Sequence, residues 1–268
     1  MGLCNSPDIF QENISELFVG LDTLRVYIEN LLHVTKGSWK EHLTVLKEML
    51  TCLQKAGLKV NARKSSFGAH KFDYLDYHVT RDRVMPIPKK VKSIQALVVP
   101  KKCKHLGQFI VMINLYRDMW QKRSEIIAPL TALTTKNVKH NWKDKHQNFF
   151  DGTKRVIGCE VLLAYPDFNA PFEIHTDASK LQIGAVISQK GKPIAFYSQN
   201  MKSAQKNYTA TEKELLSVVA SLKYFRNILL GHQITVYTDN KNITYNIFNT
   251  KRPMCWRLIL KEFGPELK

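Results

Sequence analysis

The stretch that decides the fold is Phe172-Glu-Ile-His-Thr-Asp-Ala-Ser179. Phe172, Ile174 and Thr176 alternate with polar residues, which predicts a short strand with one buried face that ends at Asp177. An aspartate before a turn usually only caps the backbone, so this strand alone is weak evidence for a functional site.

Two later stretches also place a carboxylate near the start or end of a predicted element. Tyr208-Thr-Ala-Thr-Glu-Lys-Glu-Leu-Leu-Ser-Val-Val219 predicts a helix with Glu214 near its first turn, and Ile234-Thr-Val-Tyr-Thr-Asp239 predicts a second strand that ends in Asp239. Together with Asp177, these residues can place three carboxylates on one rim. Such a rim suits two divalent metal ions about 4 Å apart, because these ions prefer hard oxygen ligands.

At these residues the chain resembles the ribonuclease H domain of gypsy-type LTR retrotransposon polyproteins. The matching segments are Thr176-Asp-Ala-Ser179, Ile183-Gly-Ala-Val-Ile-Ser-Gln189, Pro193-Ile-Ala-Phe-Tyr-Ser198, Asn207-Tyr208, Glu212-Lys-Glu-Leu-Leu216 and Thr238-Asp239. The resemblance implies an endonuclease that cuts the RNA strand of RNA–DNA hybrids with two Mg²⁺ (or Mn²⁺) ions. It also implies that Asp177, Glu214 and Asp239 are the catalytic metal ligands, with Asp177 bridging both ions.

Glu212 competes with Glu214 for the role of helix ligand. Two residues at this spacing on a helix point in markedly different directions, so they cannot both serve equally as the metal ligand. The family match places the ligand directly before Leu215-Leu216, which favours Glu214. Glu212 would then interact favourably with the positive end of the helix dipole.

Near its end, the chain differs from the family pattern in two ways. Asn240 stands where the family usually has histidine, and the sequence ends at Lys268 before the family's last strand and last helix, which carries a fourth acid. We therefore expect a ribonuclease H-like mixed sheet that lacks its last strand and helix. The strand that leads to Asp239 would then have an unpaired flank, which another chain or segment could complete.

The resemblance extends upstream to a reverse transcriptase. The family's polymerase signature is an aromatic residue, any residue and two aspartates at a hairpin turn, and this chain has Tyr27-Ile-Glu-Asn30 there. Glu29 carries its charge one methylene further out, which misplaces a ligand for Mg²⁺, and Asn30 is neutral. The sequence therefore predicts a degenerate polymerase site without RNA-directed DNA polymerase activity.

The predicted fold class is α/β (α+β), and a chain of 268 residues is long enough for more than one core. We expect three parts within the resemblance. They are a partial reverse transcriptase palm at 1–85, a helical thumb/connection-like segment at 86–147 and a C-terminally truncated ribonuclease H-like domain at 148–268.

The formal net charge of +17 suits a polyanionic partner, and nucleic acid is the commonest one. Six lysines in the basic stretch from Met85 to Lys104 are candidates for phosphate contacts: Lys89, Lys90, Lys92, Lys101, Lys102 and Lys104. The alternative is a solvated, charged helix face. Asp76 stands where the family usually has glycine in its primer-gripping hairpin, and a carboxylate there opposes phosphate binding.

The five cysteines are scattered, odd in number and never spaced as a metal knuckle, which predicts free thiols in a reducing compartment. No apolar run is long enough to span a bilayer, and the first residues lack a signal-peptide pattern. We expect a cytoplasmic or nuclear protein without membrane contact.

Three hypotheses for function remain open at this point. The chain is a ribonuclease acting on RNA–DNA hybrids, a non-catalytic module that binds nucleic acid, or a retroelement relic that folds partly or not at all. The three carboxylates favour the first hypothesis, while Glu29, Asn30 and the truncated end favour the other two.

Overall fold

The computed structural model describes residues 4–35, 37–135, 138, 141–159, 163–239 and 251–268, the first four of the last segment by their backbone alone. Asn240 lies outside the described residues. The chain divides into two compact units, Met1–Gly68 and Ala69–Lys268. The three-part division at residues 85 and 147 stays a prediction.

The first unit is a helix–hairpin–helix unit. Its elements are α1 (Ser6–Leu17), β1 (Leu24–Tyr27), β2 (Asn30–His33), α2 (Trp39–Lys55) and a 3-10 turn (Ala62–Lys64). β1 and β2 pair in an antiparallel hairpin. The small core of this unit contains Ile14, Phe18, Leu24, Met49 and Leu53.

The second unit begins with a four-stranded antiparallel sheet in the order β3-β4-β5-β6. Its strands are β3 (Lys71–Tyr74), β4 (Tyr77–Thr80), β5 (Arg83–Pro86) and β6 (Leu163–Ala164). Between β5 and β6 the chain forms α3 (Pro88–Gln95), α4 (Cys103–Asn114), a 3-10 turn (Arg117–Met119), α5 (Arg123–Ala132) and α6 (Asp144–Gly158).

A five-stranded mixed sheet follows, in the order β11-β10-β7-β8-β9. Its strands are β7 (Phe172–Ala178), β8 (Gln182–Gln189), β9 (Lys192–Asn200), β10 (Ile234–Tyr237) and β11 (Glu266–Leu267). The accompanying helices are α7 (Ser203–Lys206), α8 (Ala210–Tyr224), α9 (Arg226–Leu229) and α10 (Lys251–Phe263). β7, β8 and β9 are antiparallel, whereas β10 runs parallel to β7 and β11 parallel to β10. The mixed α/β class predicted from sequence is confirmed.

The last strand, expected to be missing, is present as β11. The backbone N–H of Thr238 donates to the Lys268 carbonyl at 3.0 Å, and the N–H of Lys268 donates to the Val236 carbonyl at 2.9 Å. The flank of β10 is therefore paired by the chain itself. At Thr235 and Val236 the pairing that we expected another chain or segment to be able to supply is therefore made by β11 of the same chain.

The five-stranded sheet and α8 share one hydrophobic core. Phe172, Ile174, Ile187 and Val236 are fully buried on one face of the sheet, and Leu222 of α8 lies in the same cluster. This packing fixes α8 against the strand that carries Asp177.

A second core joins the helices before β6 to the other face of the same sheet. Leu106, Phe109 and Phe150 are buried in it together with Phe196 of β9. Polar contacts reinforce the junction, since the Ser124 hydroxyl donates to the Gln182 side chain at 2.9 Å. Within the second unit, α4 to α6 and the mixed sheet are thus packed together.

The N-terminus of α8 is closed by a capping box at Thr209 and Glu212. We expect Thr209→Ala to lower the free energy of unfolding by about 1 kcal/mol, because the Thr209 hydroxyl accepts the backbone N–H of Glu212 at 3.2 Å. Urea denaturation at neutral pH measures the change. Thr209→Ser keeps the hydroxyl and is the control; equal losses in both variants would show that the cap does not contribute.

Candidate active site

Asp177 lies near the end of β7, which continues one residue beyond the predicted end, to Ala178. The Asp177 side chain is exposed, and its partner on β8 is Gly184. Because glycine has no side chain, no cross-strand neighbour at that position covers the carboxylate. Asp177 is therefore open to a ligand at the rim of the sheet.

Glu214 projects from the second turn of α8 and is only 7% exposed. Its carboxylate accepts a hydrogen bond from the backbone N–H of Ala178, the residue after Asp177. Within the described part of the chain, the Oε2 atom of Glu214 is buried and has no hydrogen-bond partner. A buried carboxylate oxygen without a partner is costly, which marks a place where a cation or donor is expected.

Asp239 follows β10 by two residues and is exposed. Because β10 runs parallel to β7, the ends of both strands lie at the same edge of the sheet. The pKa of Glu214 is raised from 4.5 to about 7, first by burial and then by the nearby Asp239 and Asp177 carboxylates, while the hydrogen bond from Ala178 lowers it. Asp239 and Asp177 are thus close enough to Glu214 for their charges to contribute to its raised pKa.

These three carboxylates fit a divalent cation by the type of their donor atoms, because all are hard oxygen ligands and one of them is a buried oxygen without a partner. They are not gathered into a formed site. Across the described residues, no group of three or more histidine, cysteine, aspartate or glutamate side chains is arranged so that it could hold a metal ion.

Glu212 has a different position from Glu214, although the two are close in sequence. Its Oε2 atom accepts the backbone N–H of Thr209 at 3.0 Å and completes the capping box of α8. This bond accounts for Glu212 at the helix N-terminus, as the sequence predicted for it.

The degenerate polymerase motif lies at the turn of the β1–β2 hairpin, where Glu29 and Asn30 are both exposed. Ile28 has a φ of 49°, a conformation that a β-branched residue rarely adopts. Its backbone N–H donates to the Gln11 side chain, and the Gln11 amide donates to the Val26 carbonyl at 3.3 Å. The turn is held by α1, with a single carboxylate at the position of the motif.

All six candidate lysines for phosphate contacts are exposed. Lys90 has a partner in the structure, because its ammonium group forms an ion pair with Asp76. The sequence showed that Asp76 replaces a usual glycine but gave no signal for this partner.

The comparisons with known proteins support both halves of the sequence-based resemblance. Residues 1–79 match the model for "Reverse transcriptase (RNA-dependent DNA polymerase)", and residues 142–236 match that for "RNase H-like domain found in reverse transcriptase". The Pol polyprotein from transposon opus of Drosophila melanogaster is 34% identical over 99% of this chain. That from transposon gypsy of the same organism is 29% identical over 92%. The chain belongs to the reverse transcriptase and ribonuclease H-like region of gypsy-type retrotransposon Pol polyproteins.

The chain spans only about a quarter of these Pol polyproteins, 28% of the opus protein and 25% of the gypsy protein. The family assignment therefore applies to the matched region. The activities of the whole polyproteins are not assigned to this chain. None of the described helices combines the length and apolar character that a bilayer-spanning helix needs.

Solved structures agree with the fold of this Pol region. The foamy viral protease-reverse transcriptase dRH in complex with ds DNA has a TM-score of 0.86, and the foamy viral protease-reverse transcriptase in complex with RNA/DNA hybrid has one of 0.84. Each is 22% identical and covers 100% of this chain, which in turn covers 49% and 38% of those chains. At this identity the likeness establishes the fold.

Proposed function

We propose that this chain is a ribonuclease H-type endonuclease that hydrolyses the RNA strand of RNA–DNA hybrids and is attached to an inactive reverse transcriptase remnant. The observation that carries this proposal is the buried Oε2 atom of Glu214, which has no hydrogen-bond partner among the described residues. The pKa of this carboxyl group is raised first by burial and then by the Asp239 and Asp177 carboxylates. A buried carboxyl group whose pKa is raised by burial and by nearby acids is typical of catalytic sites.

Asp177, Glu214 and Asp239 would hold two Mg²⁺ or Mn²⁺ ions, which when bound lower the pKa of a water nucleophile and stabilise charge on the leaving oxygen. Asp177 is the exposed central acid and Asp239 the exposed flanking one. The backbone N–H of Ala178 orients the Glu214 carboxylate. Glu214 must give up a proton for ligand binding near pH 7, so binding weakens as the pH falls below 7.

The proposed substrate is a nucleic-acid duplex with at least one RNA strand. The net charge of +17 and the exposed lysines of α3 and of the start of α4 favour a polyanion. One of the similar foamy viral structures is a complex with RNA/DNA hybrid, which supports the choice of an RNA–DNA hybrid as the substrate to test.

The polymerase half should be inactive. We expect no nucleotide incorporation on a primed template with Mg²⁺ or Mn²⁺, because Glu29 and Asn30 cannot supply the two short carboxylates that the metal geometry demands. Primer extension followed on a denaturing gel measures this. Incorporation by the chain that disappears in Glu29→Gln would contradict the prediction.

A second candidate function is non-catalytic binding of nucleic acid. It is favoured by the absence, within the described residues, of a group already arranged to hold a metal ion. Under this alternative, the exposed lysines would bind the phosphate backbone, and the three carboxylates would have no catalytic role.

Cleavage of an end-labelled RNA–DNA hybrid separates the two candidates. The full chain is incubated with Mg²⁺ or Mn²⁺, with single-stranded RNA and double-stranded DNA of the same sequence as substrate controls. Cleavage of the hybrid's RNA strand alone supports the endonuclease. Hybrid binding without cleavage supports the binding module. If protein that unfolds cooperatively shows neither binding nor cleavage, both candidates are contradicted.

A further inference from the structure

The turn between β3 and β4 is held rigidly against the end of α4. Leu75 and Asp76 have φ values of 45° and 71°, the pattern of a two-residue hairpin turn that aspartate tolerates and glycine favours. The Tyr116 hydroxyl donates to the Asp76 carbonyl at 3.2 Å, and the Tyr77 hydroxyl donates to the Leu115 carbonyl at 2.7 Å. These contacts hold the backbone of Asp76 in place beside the end of α4.

From this fixed turn, the Asp76 carboxylate forms an ion pair with the Lys90 ammonium group of α3. Lys90 is 47% exposed and Asp76 is 40% exposed. Of the six candidate phosphate-contacting lysines, Lys90 is the one for which the described structure contains a carboxylate partner. Exposed ion pairs add little net stability, so a phosphate can compete for Lys90.

We propose that Asp76 is a built-in competitor of nucleic-acid phosphate for Lys90 and thereby weakens hybrid binding by this chain. The inference rests on the proposed function, since it assumes that a nucleic acid binds the lysine surface. A phosphate that approaches Lys90 must displace the Asp76 carboxylate and then remain beside its negative charge. Both effects oppose binding, and both end when Asp76 is made neutral.

The test compares hybrid affinity of the full chain with that of Asp76→Asn at several salt concentrations. Fluorescence anisotropy of a labelled RNA–DNA hybrid in EDTA measures binding without cleavage. We expect Asp76→Asn to bind about three- to tenfold more tightly at low salt, and to increase the slope of log K against log salt by about 0.9, the value for one added phosphate contact. Asp76→Gly, which suits the positive φ, should behave in the same way.

Two controls separate the ion pair from a change in net charge. Asp73→Asn removes the same charge from the same hairpin, where Asp73 pairs with His78 instead. Its effect on affinity should be at most half that of Asp76→Asn. In the double variant Asp76→Asn/Lys90→Gln, the gain and the steeper slope should both disappear.

The proposal is overturned if Asp76→Asn and Asp73→Asn tighten binding equally, or if the gain survives in the double variant. Wild-type binding with no gain in Asp76→Asn overturns this inference and leaves the ribonuclease proposal intact. Failure of every variant to bind the hybrid overturns both.

Discussion

Asp177→Asn is expected to lower the rate of RNA cleavage in a hybrid by at least about a hundredfold, because the substitution removes the charge of the residue that we propose as the central metal ligand. Asparagine has nearly the shape of aspartate, and Asp177 is exposed, so the fold should be unchanged. The loss should thus be seen in the cleavage rate and not in the free energy of unfolding.

Single-turnover cleavage of a labelled hybrid, with enzyme in excess, measures this rate directly. Asp167→Asn is the matched control: Asp167 is also exposed, but it lies beside Lys190 and away from the predicted metal ligands in sequence. The control should retain wild-type activity. Equal cleavage by the wild type and Asp177→Asn would mean that the nuclease activity, if present, comes from elsewhere or from a contaminant.

Glu214→Gln is expected to stabilise the metal-free protein at pH 8. In the wild type the pKa of Glu214 is raised from 4.5 in the unfolded chain to about 7 in the folded one. Between these values the folded state binds more protons than the unfolded state, so stability falls as the pH rises through this window and stays low above it. Glutamine carries no such charge, and the gain at pH 8 should reach up to roughly 3 kcal/mol at 1.36 kcal/mol per pKa unit.

Urea denaturation in EDTA at pH 4 and pH 8 measures this effect, which should be small at the lower pH and large at the higher one. Glu173→Gln, on the same strand as Asp177, is the control and should show little of this pH dependence. Added Mg²⁺ should stabilise the wild type and not Glu214→Gln. A variant that is no more stable than the wild type at pH 8 would show that the charge of Glu214 does not destabilise the folded state.

Much of the candidate site could be predicted from the sequence, because it depends on local patterns. Alternation of apolar and polar residues before Asp177 and Asp239 predicted two of the strands, and the pattern of apolar residues from Tyr208 to Val219 predicted the helix of Glu214. The sequence pattern could not show which groups meet when the chain folds. The hydrogen bond from Ala178 to Glu214 and the unpartnered oxygen arise only once α8 packs on the sheet.

The final strand was missed for a similar reason. Glu266 and Leu267 are only two residues, too few to show a period of two, and they form a strand only by pairing with β10, about 30 residues earlier in the chain. The pair between Asp76 and Lys90 is equally non-local, since it depends on a turn with positive φ and on the placement of α3.

The same short strand has a practical consequence for handling the protein. Lys268 accepts the backbone N–H of Thr238, the residue directly before Asp239. A protease that removes Lys268 would remove this hydrogen bond to the residue directly before Asp239. Preparations that differ only at the C-terminus can therefore differ in how firmly Asp239 is held.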